Sequence, residues 1–114
     1  MNDFLCLLKA LADETRFNIV KLLLDHDYCV RALAKRLAIS EAAVSQHLQV
    51  LRKAGVVRGE KRGYFTHYRV ENDALESASK YLLEMIKTNN AFKDKCKHNR
   101  MQQRVQAIQK VDHE

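Results

Sequence analysis

The sequence predicts a mainly α fold with a small β-hairpin, five or six helices arranged as a winged helix-turn-helix. Three observations predict it. Apolar residues recur at three- and four-residue spacing along most of the chain, the period of an amphipathic helix. There is no proline, and the three glycines, Gly55, Gly59 and Gly63, lie four residues apart, so the helical pattern breaks in one place. Around that break two β-rich runs flank a polar, glycine-containing turn, which reads as a hairpin.

Taken in order, Phe4, Leu5, Leu8 and Leu11 form the apolar stripe of a first helix. Asp13 precedes Glu14-Thr15-Arg16 and the periodic set Phe17, Ile19, Val20, Leu23 and Leu24, an N-cap followed by a second helix to about Asp25. The Asp-His-Asp-Tyr segment, 25–28, reads as a turn. Residues 30–37 make a short third helix with Val30, Leu33, Ala34 and Leu37 on one face. Ser40 caps a fourth helix running through Ala54, with Val44, Leu48 and Leu51 inward and His47 beside them. Only Ala38 and Ile39 separate these two helices, so they must cross steeply and leave the second one projecting.

Gly55 fits the C-cap of the fourth helix. Val56 to Arg58 and Tyr64 to Val70 are the hairpin strands, joined across Glu60-Lys61-Arg62-Gly63, so the tip is cationic. A fifth helix starts near Asn72, with Leu75, Ala78, Leu82, Met85 and Ile86 in register, Glu71 and Asp73 near its positive end, and Thr88-Asn89-Asn90 weakening it. Residues 1–90 therefore read as one domain. Residues 91–114 read as a polar, basic, partly helical extension with a thin stripe at Met101, Val105 and Ile108.

A chain of 114 residues with 46% hydrophobic residues is one folded domain, which excludes a disordered chain and a cleft between two domains. Without tryptophan, and with only four Tyr and four Phe, its core is aliphatic, and a partner subunit covering another apolar face would help so small a core. The apolar run Leu22–Leu24 is far short of a membrane span, and Met-Asn-Asp is not the cationic start of a signal peptide, so a soluble, cytoplasmic protein is expected. Three cysteines cannot all pair within one chain; reduced thiols are the default.

The net charge of +6 is unevenly distributed. Residues 31–70 hold nine basic and two acidic side chains, residues 87–114 seven basic and three acidic, and the rest is net acidic. That is the footprint of a polyanion-binding surface rather than a uniform solubilising coat. The outward face of the fourth helix carries Ala42, Ser45, Gln46, Gln49, Arg52 and Lys53, with Ser40 and Glu41 at its start. Small side chains at Ala42 and Ser45 permit close approach to base edges, and Gln46 or Gln49 can pair with adenine. Arg52 and Lys53 reach phosphate, as do Arg58, Lys61 and Arg62 on a wing. A solvated surface helix would be equally polar but would carry salt-bridging Glu and Lys pairs, whereas Glu41 is the only acid between Arg31 and Glu60.

The runs LKALADETRFNIVKLL, CVRALAKRL and ISEAAVSQHLQVLRKAGVVRGEKRGYFTHYRV together resemble the ArsR/SmtB family of bacterial and archaeal winged-helix repressors, over about residues 5–86. The resemblance implies a cytoplasmic homodimer joined by the first and fifth helices. It implies a fourth helix of each subunit in successive major grooves of an imperfect palindrome of double-stranded DNA, and release by an inducer, often a metal or metalloid ion. The family's soft-metal sensors carry Cys-Val-Cys where this chain has Cys29-Val30-Arg31, so a cation replaces the second thiolate. The family's other site places histidines on the fifth helix, and residues 72–88 contain none.

Remaining candidates for a soft-metal or redox site are Cys29, Cys96 and His98; Cys6, beside an apolar stripe, reads as core, and His26 and His67 as surface or hairpin residues. The bland reading of the same cysteines is that they bind nothing. No Ser-His-Asp set, phosphate-cradling glycine loop or His-Glu-x-x-His string occurs, so an enzyme is not expected. The competing reading is a winged helix serving as a protein-interaction or RNA-binding module without an inducer, for which Tyr64 and Phe65 would be the exposed aromatics.

Overall fold

The structure is a computed structural model that describes residues 2–92, with side chains described for 3–88. The elements follow as α1 (Asn2–Leu11), α2 (Glu14–Asp25), β1 (Tyr28–Cys29), α3 (Val30–Leu37), α4 (Glu41–Lys53), β2 (Val57–Arg62), β3 (Phe65–Val70) and α5 (Asn72–Phe92). Five helices and a small sheet match the expected class. Two units are distinguished, Met1–Ala78 and Ser79–Glu114.

Local chemistry sets the helix ends. Asp13 is the N-cap of α2, its carboxylate accepting from the Arg16 backbone N–H at 3.0 Å. That hydrogen bond, reinforced by the Arg16 charge, holds the Asp13 carboxyl below the usual aspartate range. Ser40 Oγ caps α4 by accepting from Ala43 N at 3.0 Å. At the other end of α4, Val56 N donates to Leu51 O and Gly55 N to Arg52 O, the paired bonds of a Schellman closure. The turn between α3 and α4 is made by Ala38 in the left-handed region, φ 56°, with its N–H and that of Ile39 both directed to Ala34 O.

The first unit is built on one apolar cluster: Leu7 and Ala10 of α1, Ile19, Val20 and Leu23 of α2, Leu33 and Ala34 of α3, Val44, Leu48 and Leu51 of α4, with Val56, Val57 and Val70. The predicted inward faces of α3 and α4 are therefore observed. Those of α1 and α2 need correction. Leu5, Phe17 and Leu24 are 49%, 50% and 55% exposed, and the deeply buried residues of α1 are Leu7 and Ala10. A leucine-rich helix supports more than one stripe at helical spacing, and only packing selects among them.

Three further corrections concern the sheet and α5. Tyr28 and Cys29, expected in or beside a turn, form β1 and pair with Tyr68 and His67, giving a three-stranded antiparallel sheet in the order β1-β3-β2. A two-residue strand carries no periodicity, so its only signal is a partner forty residues away. The wing strands run on to the pair Arg62 and Phe65, leaving Gly63-Tyr64 as the whole turn, so Lys61 and Arg62 lie in a strand. Gly63, at φ 67° with no positive φ at Tyr64, suits a two-residue hairpin turn with glycine first. Helix α5 continues through Thr88, Asn89 and Asn90 to Phe92, because poor helix formers weaken a helix without ending it when neither proline nor glycine intervenes. The stripe at Met101, Val105 and Ile108 lies outside the described residues.

Ala38 carries a Cβ in a conformation that disfavours one. Ala38→Gly should raise unfolding stability by about 0.5–1 kcal/mol, the relief of that crowding exceeding the backbone entropy cost of glycine. Urea denaturation at unchanged m-value checks it; a lower midpoint would contradict it.

Candidate nucleic-acid interface

The site is built on α4, an amphipathic helix with two different faces. Val44, Leu48 and Leu51 are fully buried, while Ala42, Ser45, Gln46, Gln49, Arg52 and Lys53 are all exposed on the other side, with Ser40 and Glu41 exposed at the start. The 3.6-residue period forces this separation once one stripe enters the core. The exposed face is uncharged at Ala42, Ser45, Gln46 and Gln49 and cationic in the last turn, at Arg52 and Lys53. All eight residues expected on this helix for base and phosphate contact are thus presented together to solvent.

The wing lies beside it. Tyr68 of β3 shares a concavity of about 320 Å³ with Ser45, Leu48, Gln49 and Arg52 of α4. The same Tyr68 ring lies over Gly59 of β2: a Cβ there would stand 2.9 Å from Thr66 Cγ2 and 3.2 Å from Tyr68 Cε1, so this strand position admits only glycine without displacement. Tyr64 at the tip is fully exposed.

The wing's charge is arranged differently from the expectation of free cations. Arg62 donates to the Asp27 carboxylate at 2.7 Å and lies 3.5 Å from Glu60; Arg58 pairs with Glu71 at 3.2 Å, and Arg69 with Glu60 at 3.7 Å. The hydrogen bond to Asp27, with Glu60 nearby, raises the pKa of the Arg62 guanidinium above its usual value. Lys61 makes no ion pair among the described residues. Asp27 and Glu71 escaped sequence reasoning because they lie 35 and 13 positions from the arginines they meet; only the sheet brings them together. A polyanion approaching this wing competes with carboxylates already in place.

Of the candidate sensor residues, Cys29 is half-buried, stands at the N-cap of α3 and faces His67 across β1 and β3. It borders an open cleft of about 500 Å³ with Arg31, Glu41, Tyr64, Phe65, Thr66 and Tyr68 among its lining residues. His67 Nδ1 is buried without a hydrogen-bond partner. Cys6 is exposed on α1 rather than in the core. Cys96 and His98 lie outside the described residues, and among the described residues no group of three or more His, Cys, Asp or Glu side chains is assembled for a metal ion. The described part of the chain therefore does not by itself fit a metal centre.

Comparison with known proteins matches residues 13–58 to the family described as bacterial regulatory protein, arsR family. The transcriptional activator HlyU of Vibrio cholerae is 38% identical over 71 residues, covering 62% of this chain and 66% of HlyU, just under two thirds of that relative. The transcriptional repressor SdpR of Bacillus subtilis is 31% identical over 78 residues, covering 68% of this chain and 87% of SdpR. Among solved structures, an ArsR-like transcriptional regulator from Rhodococcus sp. RHA1 superposes with a TM-score of 0.70 at 26% identity, covering 96% of this chain and 92% of that one. No helix among the described residues is long and apolar enough to cross a membrane.

Removing the carboxylate that holds Arg62 tests the competition on the wing. Exposed ion pairs contribute little to folding, so Asp27→Asn should leave the thermal midpoint nearly unchanged. It should raise affinity for duplex DNA a few-fold at low salt and steepen the slope of log K against log salt by up to about one, measured by fluorescence anisotropy across a salt series. Weaker binding with an unaltered slope would show that Asp27 orients Arg62 instead of competing for it.

Proposed function

The chain belongs to the ArsR/SmtB family of bacterial transcriptional regulators, and from that premise we propose that it is a sequence-specific DNA-binding repressor, acting in the cytoplasm as a homodimer released by a small inducer. The single observation that carries the DNA-binding reading is the exposed, capped α4, polar and small-sided at its start and cationic at its end, beside a basic wing. In this reading Ala42, Ser45, Gln46 and Gln49 choose bases in the major groove, and Ser40 and Glu41 stand at the end of the helix that enters first. Arg52, Lys53, Arg58, Lys61 and Arg62 supply affinity through phosphate. A catalytic activity forms no part of it.

The homodimer is proposed to form through α1 and α5. Exposed Leu5 on α1, and exposed Leu82, Leu83, Met85 and Ile86 on α5, support it, since apolar side chains in that number on so short a chain are costly to leave in water. A two-fold dimer presents two α4 helices to a palindromic operator about one helical turn apart. Residues 1–90 carry DNA binding and dimerisation, and residues 91–114 form an extension. SdpR is named a repressor and HlyU an activator, and the repressor reading follows the family's commoner mode.

For the inducer, the reading is a cysteine-based site made by Cys29 with Cys96 and His98, taking a soft metal or metalloid ion or undergoing reversible thiol oxidation. Cys29 supports it by its position at the α3 N-cap, on a cleft shared with the wing and with Glu41 of α4. An ion or oxidised thiol held there borders both parts of the DNA-binding face.

The test is binding of the purified protein to the DNA upstream of its own gene. Arg62→Ala should weaken binding to every sequence and flatten the salt dependence, whereas Gln46→Ala should change the ranking among operator variants by about 1–3 kcal/mol at one base position. Equal losses on all sequences from both changes would contradict that division of roles. Repeating the assay with arsenite, zinc and peroxide, on the wild type and on Cys29→Ser, tests the inducer: release must be lost in the variant.

A further inference from the structure

Besides Glu41 and its cationic last turn, α4 carries one more titratable group. His47 lies at the midpoint of the helix, on the flank of the buried stripe, with its side chain 26% exposed. Arg16 of α2 reaches it: Nη1 is 3.5 Å from His47 Nδ1. The same guanidinium donates from Nε to Ala10 O at 2.7 Å and from Nη2 to Lys9 O at 3.4 Å, two carbonyls of the last turn of α1. Asp13, whose carboxylate caps α2 through Arg16 N, stands 4.0 Å from the same His47 nitrogen. One planar side chain on α2 thus ties the last turn of α1 to the centre of α4.

We propose that Arg16 is a positioning residue for DNA recognition, fixing the angle at which α4 stands relative to α1. This rests on the reading of α4 as the DNA-reading helix and of α1 as a dimer helix. If α1 is held by the partner subunit, the angle between α1 and α4 sets the spacing of the two reading helices. The buried stripe alone does not fix that angle, because aliphatic contacts are non-directional and tolerate small pivots. Hydrogen bonds from a rigid fork do not. The 13 residues of α4 extend about 20 Å, so a pivot of about 10° about His47 carries the first turn about 1.7 Å, half of the roughly 3.4 Å separating base pairs.

The tautomer of His47 belongs to this device. Arginine only donates, so His47 Nδ1 accepts and the ring proton sits on Nε2. Among the described residues the charged groups against the ring are Arg16 and Asp13.

The experiment uses a palindromic duplex selected from a random pool by the wild-type protein, with versions carrying one base pair more or one fewer at the centre. Arg16→Gln should lose at least ten-fold on the selected spacing and less than three-fold on the altered ones, with far-UV circular dichroism and dimer mass unchanged. Arg16→Lys should recover part of that loss. In the same samples, imidazole nitrogen-15 shifts should report the Nε2–H tautomer of His47 in the wild type and a tautomer mixture in Arg16→Gln.

Equal losses at all spacings, or an identical tautomer in both proteins, would overturn the proposal. If Arg16→Gln does not fold, His47→Asn must show the same redistribution among spacings, and a uniform loss there overturns it equally. A wild-type protein that selects no duplex sinks the DNA-binding reading itself, whereas the tautomer measurement still decides whether Arg16 holds His47.

Discussion

The structure depends on one requirement imposed on α4: its Val44, Leu48 and Leu51 must be buried in the shared core while the opposite face stays bare. Helical geometry makes the two halves of that requirement a single fact. The stripe is anchored by the cluster that includes Ile19, Leu33 and Val56, so α2, α3 and the start of the wing are all committed to supporting one helix. Everything outside the stripe is then free to be chosen for chemistry rather than stability. That is why α4 can carry Ala42, Ser45 and Gln49 where an ordinary surface helix would carry paired charges.

The electrostatics follow a different logic from the packing. The central segment, with nine basic and two acidic side chains in residues 31–70, would repel itself and hold the wing open, yet the arginines of the wing are met by Asp27, Glu60 and Glu71. Such exposed pairs add little to stability. Their effect is on shape: Asp27 joins the hairpin to the α2–β1 connection, and Glu71 joins it to the start of α5. The same pairs lower the free positive charge of the wing, so phosphate binding there is an exchange of one anion for another. Affinity gained that way is smaller per arginine than a count of cations suggests, which leaves relatively more of the discrimination to α4.

Much of the candidate site was legible because it depends on local rules. Asp13 and Ser40 announced their caps, Gly55 its helix closure, and the spacing of Val44, Leu48 and Leu51 gave the buried face of α4 outright. Where the pattern was degenerate, it misled. Leu5, Phe17 and Leu24 sit at helical spacing with truly buried neighbours and are exposed, and Cys6 sits beside a stripe without entering it. Leucine-rich helices offer several faces of equal hydrophobicity, and which one is buried is decided by the neighbour it meets.

The sequence by itself determined the helices, their caps, the hairpin turn and the polar face of α4, since each is governed by residues within about four positions of one another. Tertiary structure decided what those elements meet. Tyr28 and Cys29 become a strand only because β3 lies alongside; Arg62 finds Asp27, 35 positions away, and Arg16 spans from the last turn of α1 to His47, 31 positions further along the chain. A cap or a periodic stripe is an intrachain property with a short reach, whereas an ion pair or a strand pairing exists only after folding has closed the loop between its partners, and no local pattern records that closure.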